Sequence, residues 1–132
     1  MHEVNVDSIR VSLVNYQRVV ILKDKTSGKS IPIWIGSAEA DSIAVKLQGV
    51  SVPRPLTHDL ICEMIKKIDA KLISGNISKL NDGVFYAKLK LKGMKFGIKQ
   101  IDSRPSDAIS IALRLKAQIY VSPEVIEEAG VK

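Results

Sequence analysis

The chain has one cysteine, two histidines and few aromatic side chains among its 132 residues, and each shortage removes a class of chemistry. A lone Cys62 forms no internal disulfide, so a reducing cytoplasm is expected over secretion. Set among helix-patterned apolar residues, it reads as a small buried hydrophobe. With His2 and His58 as the full histidine complement, a single chain assembles no Cys/His zinc cage. Aromatics at 5% leave too few rings for a base-stacking platform. The P-loop, the dinucleotide-binding glycine fingerprint and the Gly-x-Ser-x-Gly nucleophile elbow are absent. No apolar run approaches the ~20 residues that span a bilayer, and no signal peptide precedes Met1-His2-Glu3. A soluble protein with no membrane partner is expected.

What is present is a hydrophobic content of 45%, enough for one compact domain over residues 1–132 or two small halves sharing a core. Twenty basic against fourteen acidic residues give +6, which favours polyanionic partners such as DNA, RNA or anionic lipid. The sequence also echoes itself at half its length. A shift of about 66 positions overlays Ile35-Gly36-Ser37 on Ile101-Asp102-Ser103, Asp41 on Asp107 and Ile43 on Ile109. The same shift overlays strand-like segments before these helices and helical ones after them, so the echo reads as duplication of 1–66 in 67–132, against two unrelated strand-to-helix junctions.

Periodicity gives the elements. Alternating apolar residues from Val4 to Leu13 predict a long strand, and Val19 to Lys23 and Ser30 to Ile35 flank the turn-forming Asp24-Lys25-Thr26-Ser27-Gly28. A helix is expected from Ser37, as its cap, to Gln48, burying Ile43, Val45 and Leu47; a second runs from His58 to Ala70 on Ile61, Ile65 and Ile68. Lys71 to Leu80 and Val84 to Lys92 surround the hairpin signal Asn81-Asp82-Gly83. A strand from Lys95 to Ile101, a helix from Arg104 to Lys116, a short strand Ile119 to Val121 and a helix opened by Ser122-Pro123-Glu124 complete an α+β fold with a mainly antiparallel or mixed sheet.

Two stretches share a grammar: Arg54-Pro55-Leu56-Thr57-His58-Asp59 and Asp102-Ser103-Arg104-Pro105-Ser106-Asp107. Each sets Arg-Pro ahead of a hydroxyl residue and an Asp where a helix begins, so a capped first turn holds arginine and carboxylate beside anion-attracting N–H groups. Phosphate binding and ordinary helix initiation both fit this pattern. Glu39, Asp59, Asp102 and Asp107 are hard oxygen donors suited to Mg²⁺ or Mn²⁺ if they converge, while acids at helix starts are also plainly stabilising. His58 titrates near neutrality in the ordinary case and suits proton transfer, or holds a structural hydrogen bond. Arg54 and Arg104 can clamp phosphate, or bridge to Asp59 and Asp107. Lys88, Lys90 and Lys92 alternate with Ala87, Leu89 and Leu91, giving one basic strand face with Lys95 and Lys99 nearby. That strip either tracks a nucleic-acid backbone or is a solvated face that discourages edge pairing.

Arg54-Pro55-Leu56-Thr57-His58-Asp59-Leu60, Ile101 to Ile109 and the upstream Ile35-Gly36-Ser37-Ala38-Glu39-Ala40 together resemble the bifunctional nuclease domain family. The resemblance covers nearly the whole chain and implies a small α+β homodimer acting on both DNA and RNA. Glu39, Arg54, Thr57, His58 and Asp59 match its first signatures, and Asp102, Arg104, Ser106 and Asp107 its last; Ser103 stands where many members have another small residue. The resulting expectation is a metal-assisted, sequence-nonspecific phosphodiesterase. In it His58, Asp59, Asp102 and Asp107 are catalytic, and Glu39 joins the three aspartates as Mg²⁺ or Mn²⁺ ligands. Arg54, Thr57, Arg104 and Ser106 bind substrate. The rival is a noncatalytic dimeric module that holds an anionic ligand, nucleic acid or protein partner at the same helix starts.

Overall fold

Apolar side chains at every second position build a sheet, and those at helical spacing cover one side of it. The computed structural model describes residues 1–132. Three strands, β1 (His2–Val11), β2 (Arg18–Asp24) and β3 (Ser30–Ile35), precede the helices α1 (Ser37–Gln48) and α2 (Thr57–Lys67). Three more, β4 (Ala70–Asn81), β5 (Val84–Gly93) and β6 (Gly97–Ser103), lead to α3 (Pro105–Leu115), the short β7 (Gln118–Val121) and α4 (Pro123–Ala129). All seven strands form one mixed sheet in the order β3-β2-β1-β7-β4-β5-β6. The fold is α+β, as its pattern of elements implies.

Each half contributes an antiparallel meander, and β7 joins them, pairing antiparallel with β1 and parallel with β4. The tight β4–β5 hairpin turns through Asp82 and Gly83, both at positive φ, the conformation that Asn-Asp-Gly encodes. Register sorts the two sheet faces. Val4, Leu22, Ile31, Ile77, Ala87, Leu89, Ile119 and Val121 share the side that packs on the helices and belong to a single buried core. Helix α3 crosses closest at Gly75 of β4, where a Cβ would stand 3.1 Å from the Ala108 carbonyl oxygen. Opposite, Tyr86, Lys88, Lys90 and Lys92 of β5 lie on a face that no helix covers.

Local differences from the sequence reading have physical reasons. Strand β1 stops at Val11, and Leu13 is exposed in the following turn. Ser37 does not cap α1: the cap is Gly36, which offers no side-chain acceptor. Leu47 is exposed because only the side of α1 bearing Ala40, Ser42 and Ile43 meets the core. Helix α2 ends at Lys67; Asp69 takes a positive φ to turn the chain into β4, which leaves Ile68 outside the core. Strand β6 runs two residues further than expected, so Asp102 and Ser103 sit in a ladder opposite Lys88 and Ala87.

Candidate functional site

The first turns of α1, α2 and α3 border one cleft of about 660 Å³, floored by Leu89 and Leu91 of β5 and walled by Ile101 of β6. Ala38 and Glu39 enter it from α1, Thr57 and His58 from α2, and Arg104 and Asp107 from α3. First-turn N–H groups have no partner inside their own helix. None of these three helices carries a side-chain acceptor at its N-cap, where Gly36, Leu56 and Arg104 stand. In α4, which does not border the cleft, Ser122 accepts from the Val125 N–H in the ordinary way. Open donors are therefore found where the helices converge. Each such terminus carries roughly half a positive charge.

Acids occupy the third helical position in all three. The Asp59 carboxylate accepts from the Leu56 N–H at 2.9 Å and Asp107 accepts from the Arg104 N–H at 3.3 Å, half of a capping box in each case. Glu39 folds back over Gly36, so close that a Cβ there would lie 2.0 Å from Oε1. The hydroxyls of Thr57 and Ser106 do not make these caps, and Ser106 is buried.

A continuous polar chain links the cleft to the helix interfaces. Arg104 donates through Nε and Nη2 to both oxygens of Asp107 at 3.0 Å and reaches Glu39 at 3.6 Å. His58 is 6% exposed, with Nε2 2.9 Å from Asp107 Oδ1 and Nδ1 2.7 Å from Ser42 Oγ. Ser42 lies 3.0 Å from Ser110 Oγ, which accepts from Arg114 Nη1. Arg114 also donates through Nη2 to the Ser42 carbonyl at 3.1 Å and through Nε to Asp59 at 2.7 Å. A guanidinium only donates, so the two serine hydroxyls carry the chain from Arg114 to the His58 ring and on to Asp107. No buried side-chain polar atom is left without a partner.

These contacts set the charges. Burial pushes the Asp107 carboxyl up, but hydrogen bonds from Arg104 and His58 and the Arg104 charge outweigh it and hold it below the ordinary carboxylate range. Asp59 is held low in the same way, burial being outweighed by the Arg114 hydrogen bond, the Leu56 N–H and the Arg114 charge. The Asp107 hydrogen bond binds the Arg104 proton more tightly than usual. Burial raises the Cys62 thiol, which keeps it inert.

The sequence-predicted residues thus divide. Glu39, Thr57, His58, Arg104 and Asp107 come together at the cleft. Asp59 turns to Arg114 and, with Arg54, borders a separate groove. Arg54 makes no bridge to Asp59, whereas Arg104 does bridge Asp107. Asp102 edges the cleft, yet register places it opposite Lys88, on the face away from the helices. No three His, Cys, Asp or Glu side chains are gathered to hold a metal ion, because guanidinium groups and backbone N–H groups already occupy the carboxylates. The donor set as arranged does not fit Mg²⁺ or Mn²⁺. Ser42, Ser110 and Arg114 were not among the expected site residues. The only signal for two of them is Ser110 and Arg114 spaced i, i+4 in the otherwise apolar stretch after Asp107 of α3.

The sequence model of the bifunctional nuclease domain matches residues 20–132. The chain belongs to the bifunctional nuclease domain family. An uncharacterized protein of Mycobacterium tuberculosis is 43% identical over 130 residues, spanning 98% of this chain and 77% of that one. Bifunctional nuclease 1 of Oryza sativa subsp. indica is 25% identical over 121 residues, 89% of this chain but 36% of its own length. Bifunctional nuclease 2 of Arabidopsis thaliana shares 25% over 126 residues, 92% of this chain and 38% of its own. The matched span includes Glu39, Thr57, His58, Arg104 and Asp107, the residues that meet at the cleft. No helix is long and apolar enough to cross a membrane.

Proposed function

We propose that this bifunctional nuclease domain hydrolyses phosphodiester bonds of DNA and RNA with little sequence preference, at the three-helix cleft. The observation that carries this reading is the set of uncapped first turns around Arg104. Three termini at roughly half a charge each and one guanidinium offset part of the charge of Glu39, Asp41, Asp102 and Asp107, and a single phosphodiester group would enter at Arg104 and these first turns. Arg104, 62% exposed, is the clamp that exchanges its carboxylate partners for phosphate oxygens. Asp107, facing the cleft and backed by His58, is the group that accepts a proton from an attacking water. His58 is fixed behind it by Ser42 and spreads the charge. The metal-assisted version requires Arg104 to release Glu39 and Asp107 first. A second copy covering the exposed Leu60 and Met64 of α2 and Ile68 just past its end makes the proposed homodimer.

One observation favours the second reading, a noncatalytic module for an anionic ligand: both His58 nitrogens and both Asp107 oxygens are already hydrogen-bonded. The deciding experiment is cleavage of single-stranded DNA and RNA by extensively purified protein in EDTA, in Mg²⁺ and in Mn²⁺, beside folded Arg104→Gln and Asp107→Asn variants. A nuclease loses at least ~100-fold in either variant, about 2.7 kcal/mol of transition-state stabilisation. Equal rates in all three proteins, or no cleavage under any condition, replaces the nuclease with the binding module.

A further inference from the structure

The protein carries +6, yet its cleft is lined by four acids and one arginine, so the charge that attracts a polymer of phosphates lies elsewhere. Register locates it on the uncovered face of the sheet. Lys88, Lys90 and Lys92 project there from β5, Lys71 of β4 stands directly opposite Lys92, and Lys79 leans over the Tyr86 ring at 5.1 Å. None of these five lysines has a carboxylate within 4.0 Å; the ion pairs of the protein use other residues. Acids on the face nearest these lysines are Glu3, which is bound to Lys25, and Asp102, opposite Lys88 but not in contact with it.

Two ordinary explanations for a lysine row weaken on this sheet. Edge strands use lysine to repel other sheets, but β5 is internal, flanked by β4 and β6. Solvation alone does not favour Lys71 and Lys92 as a cross-strand pair, since like charges directly opposite each other destabilise a sheet. The free protein therefore holds a repulsion that a bound polyanion relieves. A shallow groove of about 510 Å³ runs along this face, bordered by Lys88, Lys90, Asn76, Gln100 and Tyr120.

We infer that this lysine groove is a second, separate binding surface, which holds an extended single strand of nucleic acid on the side of the sheet opposite the cleft. Alternate residues of a strand advance about 6.8 Å, a step comparable to that of an extended polynucleotide backbone. The groove offers amide and hydroxyl groups from Asn76, Gln100 and Tyr120 between its lysines, and the Tyr120 ring supplies a face for an unpaired base. Met1 and Ile73 also line the groove, but the groups beside its lysines, Asn76, Ser78, Gln100 and Tyr120, are hydrogen-bonding ones that suit sugars and bases better than acyl chains. From here a strand reaches the cleft by crossing β6 alone, whose Lys99 and Ile101 face the helix side. Holding a strand needs no cleavage, so this inference stands apart from the nuclease reading.

The test is fluorescence anisotropy of a labelled oligothymidylate in EDTA across a salt series, with wild type, a Lys88→Gln/Lys90→Gln/Lys92→Gln variant and the cleft variant Arg104→Gln. Matching far-ultraviolet spectra and urea midpoints establish that the variants are folded. Each phosphate contact contributes about 0.7 to the slope of log affinity against log salt for a single strand, so the triple variant is expected to lose about 2 from the slope. Its affinity at low salt should fall at least ~10-fold, whereas Arg104→Gln, which removes one phosphate contact in the cleft, should lose no more than about 0.7 from the slope. An unchanged slope in the triple variant overturns the inference, as does a wild type that binds no strand. Binding to phosphatidylserine vesicles without binding to the oligonucleotide makes the face a membrane contact instead. A lysine-dependent slope without cleavage in any metal leaves the groove standing and removes the nuclease; cleavage with an unchanged slope does the reverse.

Discussion

Glu39, Asp59 and Asp107 each sit third in their helices, and this shared position explains them before any catalysis is invoked. A carboxyl held low in the folded state binds its proton less readily than in the unfolded chain. For Asp59 and Asp107 the stabilisation is therefore complete above the ordinary value of about 3.9 and is lost as pH falls through the lowered folded values. Urea midpoints followed from pH 7 into acid should be flat, then fall below about pH 4; Asp107→Asn should be weaker at neutrality and show a shallower acid limb. An acid limb as steep as wild type in that variant removes Asp107 from this account. The N-terminal grammar was legible because it is local, with arginine, cap and acid within a few residues. Ser42 and Ser110 bond across 68 positions and Arg114 reaches Asp59 across 55, so nothing nearby in the chain marks them as polar partners.

Among the elements, α3 carries most of the site, from Arg104 at its cap to Arg114 in its last turn, and its seat on β4 is set by one missing side chain. Gly75 faces Ala108 with the carbonyl oxygen at 3.1 Å and the Cβ at 3.4 Å from where its own Cβ would be. Gly75→Ala must lift backbone, not a flexible side chain, and is expected to cost about 1–3 kcal/mol, read from urea unfolding. Little change there would mean that α3 gives way freely, and the proposed rigidity of the site would fail with it. Both meanders and the helices were readable from alternation and turn chemistry; Asn81-Asp82-Gly83 alone set one hairpin. The central place of β7 was not. It has four residues and pairs with two distant strands, one of them parallel, so its role depends on tertiary contacts that no local pattern encodes.

For the molecule as a whole, exposed apolar side chains are spread over turns, strands and helices, and α2 carries one ordered row of them. Leu60, Met64 and Ile68 are 54%, 59% and 60% exposed at successive helical turns of α2, the stripe assigned above to a second copy. Leu60→Glu with Met64→Glu should give a monomer by light scattering while the urea midpoint stays near that of the monomeric unit; a wild type that is already monomeric at high concentration sends the stripe to another partner. The sheet consists of two three-strand meanders placed either side of β7. That placement has a consequence for synthesis. On the ribosome the first meander emerges early, but the outer edge of β1 meets its neighbour only after roughly a hundred further residues have been made. Until then an unpaired edge beside β2 is open to wrong partners. Four late residues act as the clasp that shuts it, so their arrival, more than the speed of either meander, sets when the nascent chain is safe from aggregation.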